Sequence, residues 1–199
     1  MSNNLSLRIP NPSKTEVKKY LLLWNSLENY TLQENALRKL FTKTYPLNSD
    51  TDDVLIKVCA LNDFYSTNIF SPFTVAKHIV DLKIDGNLAK DDLGIVNKIA
   101  SVKMNGGKSI NFYSFATKYC SHHKPTVYPI YDSYVEKILI YLKKKDNFAD
   151  FSRNDLRSYV KFKDILLKFR KYYVLQQFDL KQIDQYLWQA GKKYFPRKY

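Results

Sequence analysis

The sequence predicts an all-α fold, a compact bundle of about nine helices. The chain has only five glycines in 199 residues, and 45% of its residues are hydrophobic. Apolar residues recur through long segments at the three- to four-residue spacing of an amphipathic helix. The period-two alternation of exposed strands is rare. These observations favour helices that share one core, with room for two lobes flanking a cleft.

Two helices are predicted in residues 1–50, which we treat as an N-terminal helical extension of a main domain at residues 51–199. Ser13 and Thr31 are each followed three positions later by a glutamate, the pattern of a capping box at a helix start. The pair Tyr45-Pro46 ends the second helix, because a residue before proline avoids the helical conformation.

Seven further helices are predicted in the main domain. Most open with a polar cap or with proline at the first helical position. Polar or glycine-containing turns separate them. These helices are predicted at residues 50–64, 71–80, 93–102, 110–123, 133–144, 155–173 and 180–195.

The charge predicts a polyanionic partner. The chain has 32 Lys and Arg residues against 19 Asp and Glu, a formal net charge of +13. A charge this large favours nucleic acid; the alternative is a lysine-rich surface with no specific partner. No run is long enough to span a membrane, and no signal peptide is apparent. We therefore expect a monomeric, cytoplasmic, nucleoid-associated protein with no membrane partner.

Metal and cofactor sites are not predicted. Cys59 and Cys120 lie far apart in apolar segments, which is typical of buried thiols in a reducing compartment. Two cysteines are too few for an iron–sulfur cluster. His122 and His123 lack a third ligand at zinc spacing.

The segment "KMNGGKS" predicts a hairpin between two helices. Gly106 and Gly107 permit positive φ, and Ser109 is placed to cap the following helix. Such a turn, formed by Asn105 to Ser109 with Lys108 beside the glycines, can bind a phosphate through backbone N–H groups. A plain helix cap explains the same residues.

The segment "SFATKYCSHHKPTVYPIYD" places a lysine and an aspartate at a helix–turn–helix junction. Lys118 lies nearly opposite the apolar stripe of its helix, so it is either solvated or lines a cleft where desolvation makes its amine nucleophilic. Asp132 opens the next helix and is either a cap alone or a cap whose carboxylate also faces a pocket. In the second case it could stabilise a developing oxocarbenium ion.

Together, "NGGKS", "SFATK" and "PIYD" resemble the helix-hairpin-helix-Gly/Pro-Asp DNA glycosylases, and in particular the small bacterial proteins similar to 8-oxoguanine DNA glycosylase. The resemblance covers residues 50–195. It implies that the hairpin binds the DNA backbone and that Asp132 is the catalytic aspartate. The catalytic lysine is Lys118 or Lys108, since the Lys118–Asp132 spacing is short for this family and the hairpin departs from the Gly-any-Gly pattern.

The resemblance also implies sites for the DNA and for the extruded base. The turn after the third helix resembles a wedge that fills the gap left by a flipped nucleotide. Its residues are Tyr65, Ser66, Thr67 and Asn68. The expected base pocket is formed by Phe115, His122, Tyr128 and Tyr131.

The predicted function is therefore that of a DNA N-glycosylase, with or without strand-cleaving lyase activity, acting on double-stranded DNA that carries a modified or damaged base. Its setting is base-excision repair or defence against phages with modified DNA, and no cofactor is expected. Two alternatives remain: a non-catalytic nucleic-acid-binding helix-hairpin-helix module, and a helical protein-interaction domain with an incidentally basic surface.

Overall fold

The computed structural model describes residues 9–104 and 106–196, and it confirms the all-α class. Ten α-helices and one two-stranded antiparallel sheet lie within these residues, together with a π-helical turn (Leu40–Thr44) and a 3₁₀ turn (Asp155–Arg157). No helix in these two ranges is both long and apolar enough to cross a membrane. The elements are α1 (Lys14–Ser26), α2 (Glu28–Lys39), α3 (Thr51–Tyr65), α4 (Pro72–Asp81), α5 (Asp85–Ala89), α6 (Gly94–Ala100), β1 (Ser101–Lys103), β2 (Ser109–Asn111), α7 (Tyr113–His123), α8 (Ser133–Asp146), α9 (Tyr159–Tyr172) and α10 (Leu180–Tyr194).

Several predicted helix starts are confirmed. The Ser13 side chain accepts the backbone N–H of Glu16 at 3.1 Å, and Asp50 caps α3 in the same way. Pro72 occupies the first turn of α4, where its missing N–H costs nothing. Asp132 caps α8, which fixes the aspartate of the predicted site.

Three predicted starts are wrong, and one of them is that of α7, which begins at Tyr113 because Ile110 lies in strand β2. Helix α2 begins at Glu28 rather than Thr31, because the Thr31 hydroxyl donates back to the Glu28 carbonyl at 2.9 Å and lies inside the helix. Helix α9 begins after Asp155, because that residue accepts the Ser152 N–H at 2.7 Å and the chain turns there in a 3₁₀ conformation.

The predicted hairpin is present, but it joins two short strands rather than two helices. Gly106 and Gly107 have φ values of 90° and 84°, as expected. Residue Ser109 is paired in β2 with Lys103, so the prediction that it caps α7 is wrong. Asn105 lies outside the described residues.

The prediction that both cysteines are buried holds for only one of them. Cys120 is buried in α7, whereas Cys59 is exposed. Val58 and Leu61 face the core from the same helix as Cys59. One step of about 100° along the helix from Val58 turns the thiol to solvent.

Helix α7 lies at the centre of the molecule. Nine of its eleven residues are buried, and it packs against α3 and α6. Buried Lys57 of α3 helps to fix the surrounding chain, since its Nζ donates to Leu47 O at 2.8 Å and to Asn48 Oδ1 at 2.7 Å. The same Asn48 oxygen accepts the Tyr119 hydroxyl of α7 at 2.5 Å. Because α7 is surrounded by packed chain, a lysine in the middle of this helix is buried.

The first and last helices of the described residues pack against each other. Helix α10 packs against α1 and α8. At Gly191 the approach is so close that a Cβ atom would lie 2.5 Å from the Tyr134 carbonyl oxygen. This contact fixes α10 relative to the start of α8, where Asp132 lies.

We expect Gly191→Ala to destabilise the protein by about 1–3 kcal/mol or more, because backbone in a packed interior cannot shift freely. Urea unfolding measures the effect. Gly86→Ala is the matched control, since nothing lies within 4 Å of the added atom and a helical alanine is slightly favourable. Equal stabilities of the two variants would contradict the close approach.

Candidate active site

The described residues surround a cavity of about 290 Å³, near the lower limit for small-ligand sites. Its wall is formed by residues of helices α1, α2, α3, α7, α8 and α10. The cavity is therefore lined both by the predicted N-terminal extension and by the predicted main domain, which meet at position 50. The lining residues are Trp24, Tyr30, Gln33, Glu34, Leu37, Phe64, Tyr65, Ser66, Lys118, Ile130, Asp132, Tyr134, Lys181, Asp184, Gln185, Trp188 and Lys192.

Lys118 projects from α7 into the cavity wall and is only 3% exposed. Its Nζ donates to Ser114 Oγ at 2.6 Å and lies 5.2 Å from the centre of the Tyr65 ring. Burial lowers the pKa of the Lys118 amine, and the nearby carboxylates of Asp132 and Asp184 oppose that shift. A larger share of neutral amine is therefore present than on a surface lysine.

Asp132 serves the helix and the cavity at once. Its Oδ1 accepts the Tyr134 N–H at 2.8 Å, which caps α8. Its Oδ2 lies 3.9 Å from Lys118 Nζ. The sequence left open whether Asp132 is a cap alone or a cap whose carboxylate also faces a pocket. The structure shows the second arrangement, because one carboxylate has two oxygens that can face different partners.

The wall beside Lys118 is aromatic. Tyr65 closes α3, and its hydroxyl shares a hydrogen bond with His122 Nε2 at 3.1 Å. Burial lowers the pKa of His122 to about 3 and raises that of Tyr65 to about 12. Both groups are therefore uncharged near neutral pH. Tyr65 and His122 thus pack beside the Lys118 amine and do not compete with it for a proton.

Asp184 of α10 is a second carboxylate on the cavity wall. It is 6% exposed, and no described residue donates a hydrogen bond to it or forms a close ion pair with it. Burial raises its pKa to about 7, although Lys181 and Lys118 oppose this. A carboxyl group on the cavity wall that accepts no hydrogen bond from the described protein is available to a ligand.

A neighbouring pair of charges is satisfied within the protein. Lys181 Nζ lies 2.7 Å from Glu34 Oε1, and Gln185 Nε2 donates to Glu34 Oε2 at 3.3 Å. These contacts connect α10 to α2 across the cavity. They leave Asp184 as the unpartnered acid of the described wall.

Part of the cavity wall is an aromatic cage, which we define as Trp24, Tyr30 and Trp188. The ring centres of Trp24 and Trp188 are 5.8 Å apart, and those of Tyr30 and Trp188 are 5.2 Å apart. Half-exposed aromatic faces of this kind bind flat ligands by stacking.

The structure brings together some of the predicted site residues and separates others. Lys118, Asp132, Tyr65 and Ser66 line the cavity. His122 is buried directly behind Tyr65. Thr67 and Asn68 follow in the turn, where the Thr67 hydroxyl donates to Asn62 Oδ1 at 2.8 Å and Asn68 has a φ of 58°.

Three predicted base-pocket aromatics belong to the core instead. Phe115, Tyr128 and Tyr131 are buried and are not part of the described cavity wall. The Tyr128 hydroxyl donates to Asp92 O at 3.2 Å, and the Tyr131 hydroxyl donates to Glu136. The apolar stripe that carries Phe115 is core, as helical periodicity alone would favour.

The predicted phosphate-binding hairpin is separate from the described cavity wall. Lys108 is exposed and does not contribute to that wall. The Gly107 N–H donates to Met104 O at 3.0 Å, and the Met104 N–H donates to Lys108 O at 2.8 Å. One backbone donor expected to meet phosphate is thus used inside the turn.

Sequence reasoning missed the residues that α2 and α10 contribute. The segment "IDQYLWQ" contains a signal in retrospect, since Asp184 lies between Ile183 and Tyr186 on the buried face of α10. An acid in an apolar stripe either pairs with a buried base or faces a cavity. Trp188 lies one turn further along the same helix.

The carboxyl group of Asp184 should make stability depend on pH. Burial raises its folded-state pKa from 3.8 to about 7, so the folded protein retains a proton that the unfolded chain loses between these values. The free energy of unfolding should therefore fall as the pH rises across this window, by up to about 4 kcal/mol. Asp184→Asn should remove that decline in urea unfolding at pH 5 and pH 8.

The control is Asp63→Asn, a matching change at an exposed position. It should keep the pH dependence of the wild type. If Asp184→Asn also keeps it, the carboxyl group is not buried as described.

The chain matches a known family model and is similar to a known protein. The family model HI_0787_N, described as an N-terminal domain, matches residues 16–127. A protein of Haemophilus influenzae, described as uncharacterized, is 48% identical over 147 residues, which cover 73% of this chain and 70% of that protein. No solved structure matches the chain. The matched family range contains Lys118 and ends before Asp132.

Proposed function

We propose that this chain, which belongs to the HI_0787_N family, is a DNA glycosylase that extrudes a modified or damaged base and cleaves its N-glycosidic bond. The observation that carries the proposal is the pair formed by Lys118 Nζ and Asp132 Oδ2, 3.9 Å apart on the wall of a cavity rimmed with aromatic residues. A buried amine beside a carboxylate fits attack on a sugar carbon that develops positive charge.

Lys118 is the nucleophile of the proposed reaction. Its neutral amine attacks C1′ of the extruded nucleotide, and the C1′–N bond to the base breaks with its electron pair leaving on the base. The proton that the attacking nitrogen loses balances the proton that the departing base gains. Transfer of the remaining N–H proton to O4′ opens the sugar ring and forms an imine, from which the strand can be cleaved by elimination.

Asp132 stabilises the positive charge that spreads over C1′ and O4′ as the bond breaks. Its cap hydrogen bond to the Tyr134 N–H holds the carboxylate in place before the substrate arrives, so little reorganisation is needed in the transition state. The short Lys118–Asp132 separation lets one sugar contact both groups.

The cavity supplies what a base requires. The aromatic cage offers ring faces for stacking, and the unpartnered Asp184 offers a hydrogen-bonding group to a base edge. The cavity volume of about 290 Å³ suits one base with its sugar. In this proposal the turn from Ser66 to Asn68 faces the duplex and fills the gap that the base leaves.

The charge of +13 supports double-stranded DNA as the partner. We propose that a monomer of the protein associates with the nucleoid and acts in base-excision repair or in defence against phages with modified DNA. The resemblance of "NGGKS", "SFATK" and "PIYD" to the helix-hairpin-helix-Gly/Pro-Asp glycosylases supports the same class of reaction.

The proposal predicts release of a free base and a covalent lysine adduct. The protein is incubated with genomic and phage DNAs that carry different modified bases, and released bases are identified by mass spectrometry. Borohydride reduction traps the imine. Lys118→Gln should abolish trapping, and Asp132→Asn should slow base release by about 10²–10³-fold while DNA binding persists.

Lys108→Gln is the matched control, because Lys108 is the rival lysine and lies outside the described cavity wall. It should leave trapping intact. Strong, salt-sensitive DNA binding without release of any base would instead indicate a non-catalytic module. Weak binding that is insensitive to salt would indicate a protein-interaction domain.

A further inference from the structure

Lys192 lies against the aromatic cage. It lies in the last turn of α10, and its Nζ is 4.9 Å from the ring centres of both Tyr30 and Trp188. The same nitrogen donates to the Tyr30 hydroxyl at 2.7 Å. An ammonium near a ring is held by the negative potential of the ring face. Because Nζ is hydrogen-bonded to the Tyr30 hydroxyl at the edge of that ring, Lys192 covers only the Trp188 ring that a flat ligand would use.

The charge of Lys192 is not neutralised within the described part of the chain. No described carboxylate forms an ion pair with it, whereas Lys181, which also lines the cavity, is paired with Glu34 at 2.7 Å. Lys192 is exposed and is part of the cavity wall. It is held by one hydrogen bond to the Tyr30 hydroxyl and by its contact with the Trp188 ring.

A stacked base would displace this ammonium at little cost. Cation–π contacts at exposed sites correspond to a factor of about two to five in an equilibrium constant. A cavity of about 290 Å³ that holds a base and its sugar leaves the flanking phosphates at the mouth. The displaced ammonium then lies beside a phosphodiester group that a free base or nucleoside does not carry.

We propose that Lys192 makes the cavity selective for a base within a nucleic acid strand over the free base or nucleoside. Its ammonium competes with any flat ligand for the cage. The displaced ammonium gains a favourable contact only when a phosphodiester accompanies the ligand. After the bond is cleaved, the same competition favours departure of the free base. This inference rests on the proposed function, since it assumes that the cavity receives a nucleotide.

Binding is measured by intrinsic fluorescence. The chain has two tryptophans, and both, Trp24 and Trp188, belong to the aromatic cage. The probes are 8-oxo-2′-deoxyguanosine and a short duplex with one 8-oxoguanine, each with a 2′-fluoro substituent that prevents cleavage. Lys192→Met is compared with the control Lys193→Met, which removes the same charge. Lys193 lies 5.3 Å from the centre of the Tyr194 ring and is not part of the described cavity wall.

Lys192→Met should bind the nucleoside about two- to fivefold more tightly and the duplex about five- to tenfold more weakly. The slope of log Kd against log salt should fall by about 0.9, the value for one phosphate contact. Lys193→Met should leave the nucleoside affinity unchanged. The inference is overturned if both affinities of Lys192→Met move in the same direction, or if neither moves, while the wild type binds the duplex. Failure of the wild type to bind either probe overturns the inference for this base, whereas the proposed function is tested separately by base release from DNAs that carry other modified bases.

Discussion

The burial of one lysine amine is the constraint on which the rest of the site depends. Lys118 sits in a helix with nine of its eleven residues buried and is itself only 3% exposed, so its amine is largely removed from bulk water. It is accommodated by the Ser114 hydroxyl at 2.6 Å, by the face of Tyr65, and by the Asp132 carboxylate at 3.9 Å. Removing any one of these would leave the amine less well compensated in a low-dielectric interior.

The surrounding fold holds Lys118 and its partners in place and leaves the cavity open on one side. The buried Lys57–Asn48 network connects α3 to α7. The close approach at Gly191 holds α10 against the start of α8. As a result, α7 supplies Lys118 and the start of α8 supplies Asp132, while α10 supplies Asp184. Side chains on three packed helices are held more firmly than side chains on loops.

The sequence predicted the parts of this site that depend on local rules. Asp132 was identified because a cap before a helix has a clear signature, and Lys118 because it stands off the apolar stripe. Phe115 could not be assigned to core or pocket, since periodicity shows which residues share a face but not what covers that face. The contributions of Glu34 and Asp184 depend on how distant helices meet, which is tertiary information that a single helical pattern does not contain.

The most direct test of the central claim is the titration of the Lys118 amine itself. Lysine labelled with ¹³C at Cε gives one NMR signal per residue, and the signal absent from Lys118→Arg assigns it. The structure predicts a midpoint below the ordinary value of 10.5, which should move further down in Asp132→Asn because a neighbouring negative charge is removed. A midpoint at or above 10.5 that does not respond to Asp132→Asn would contradict the buried, carboxylate-paired amine.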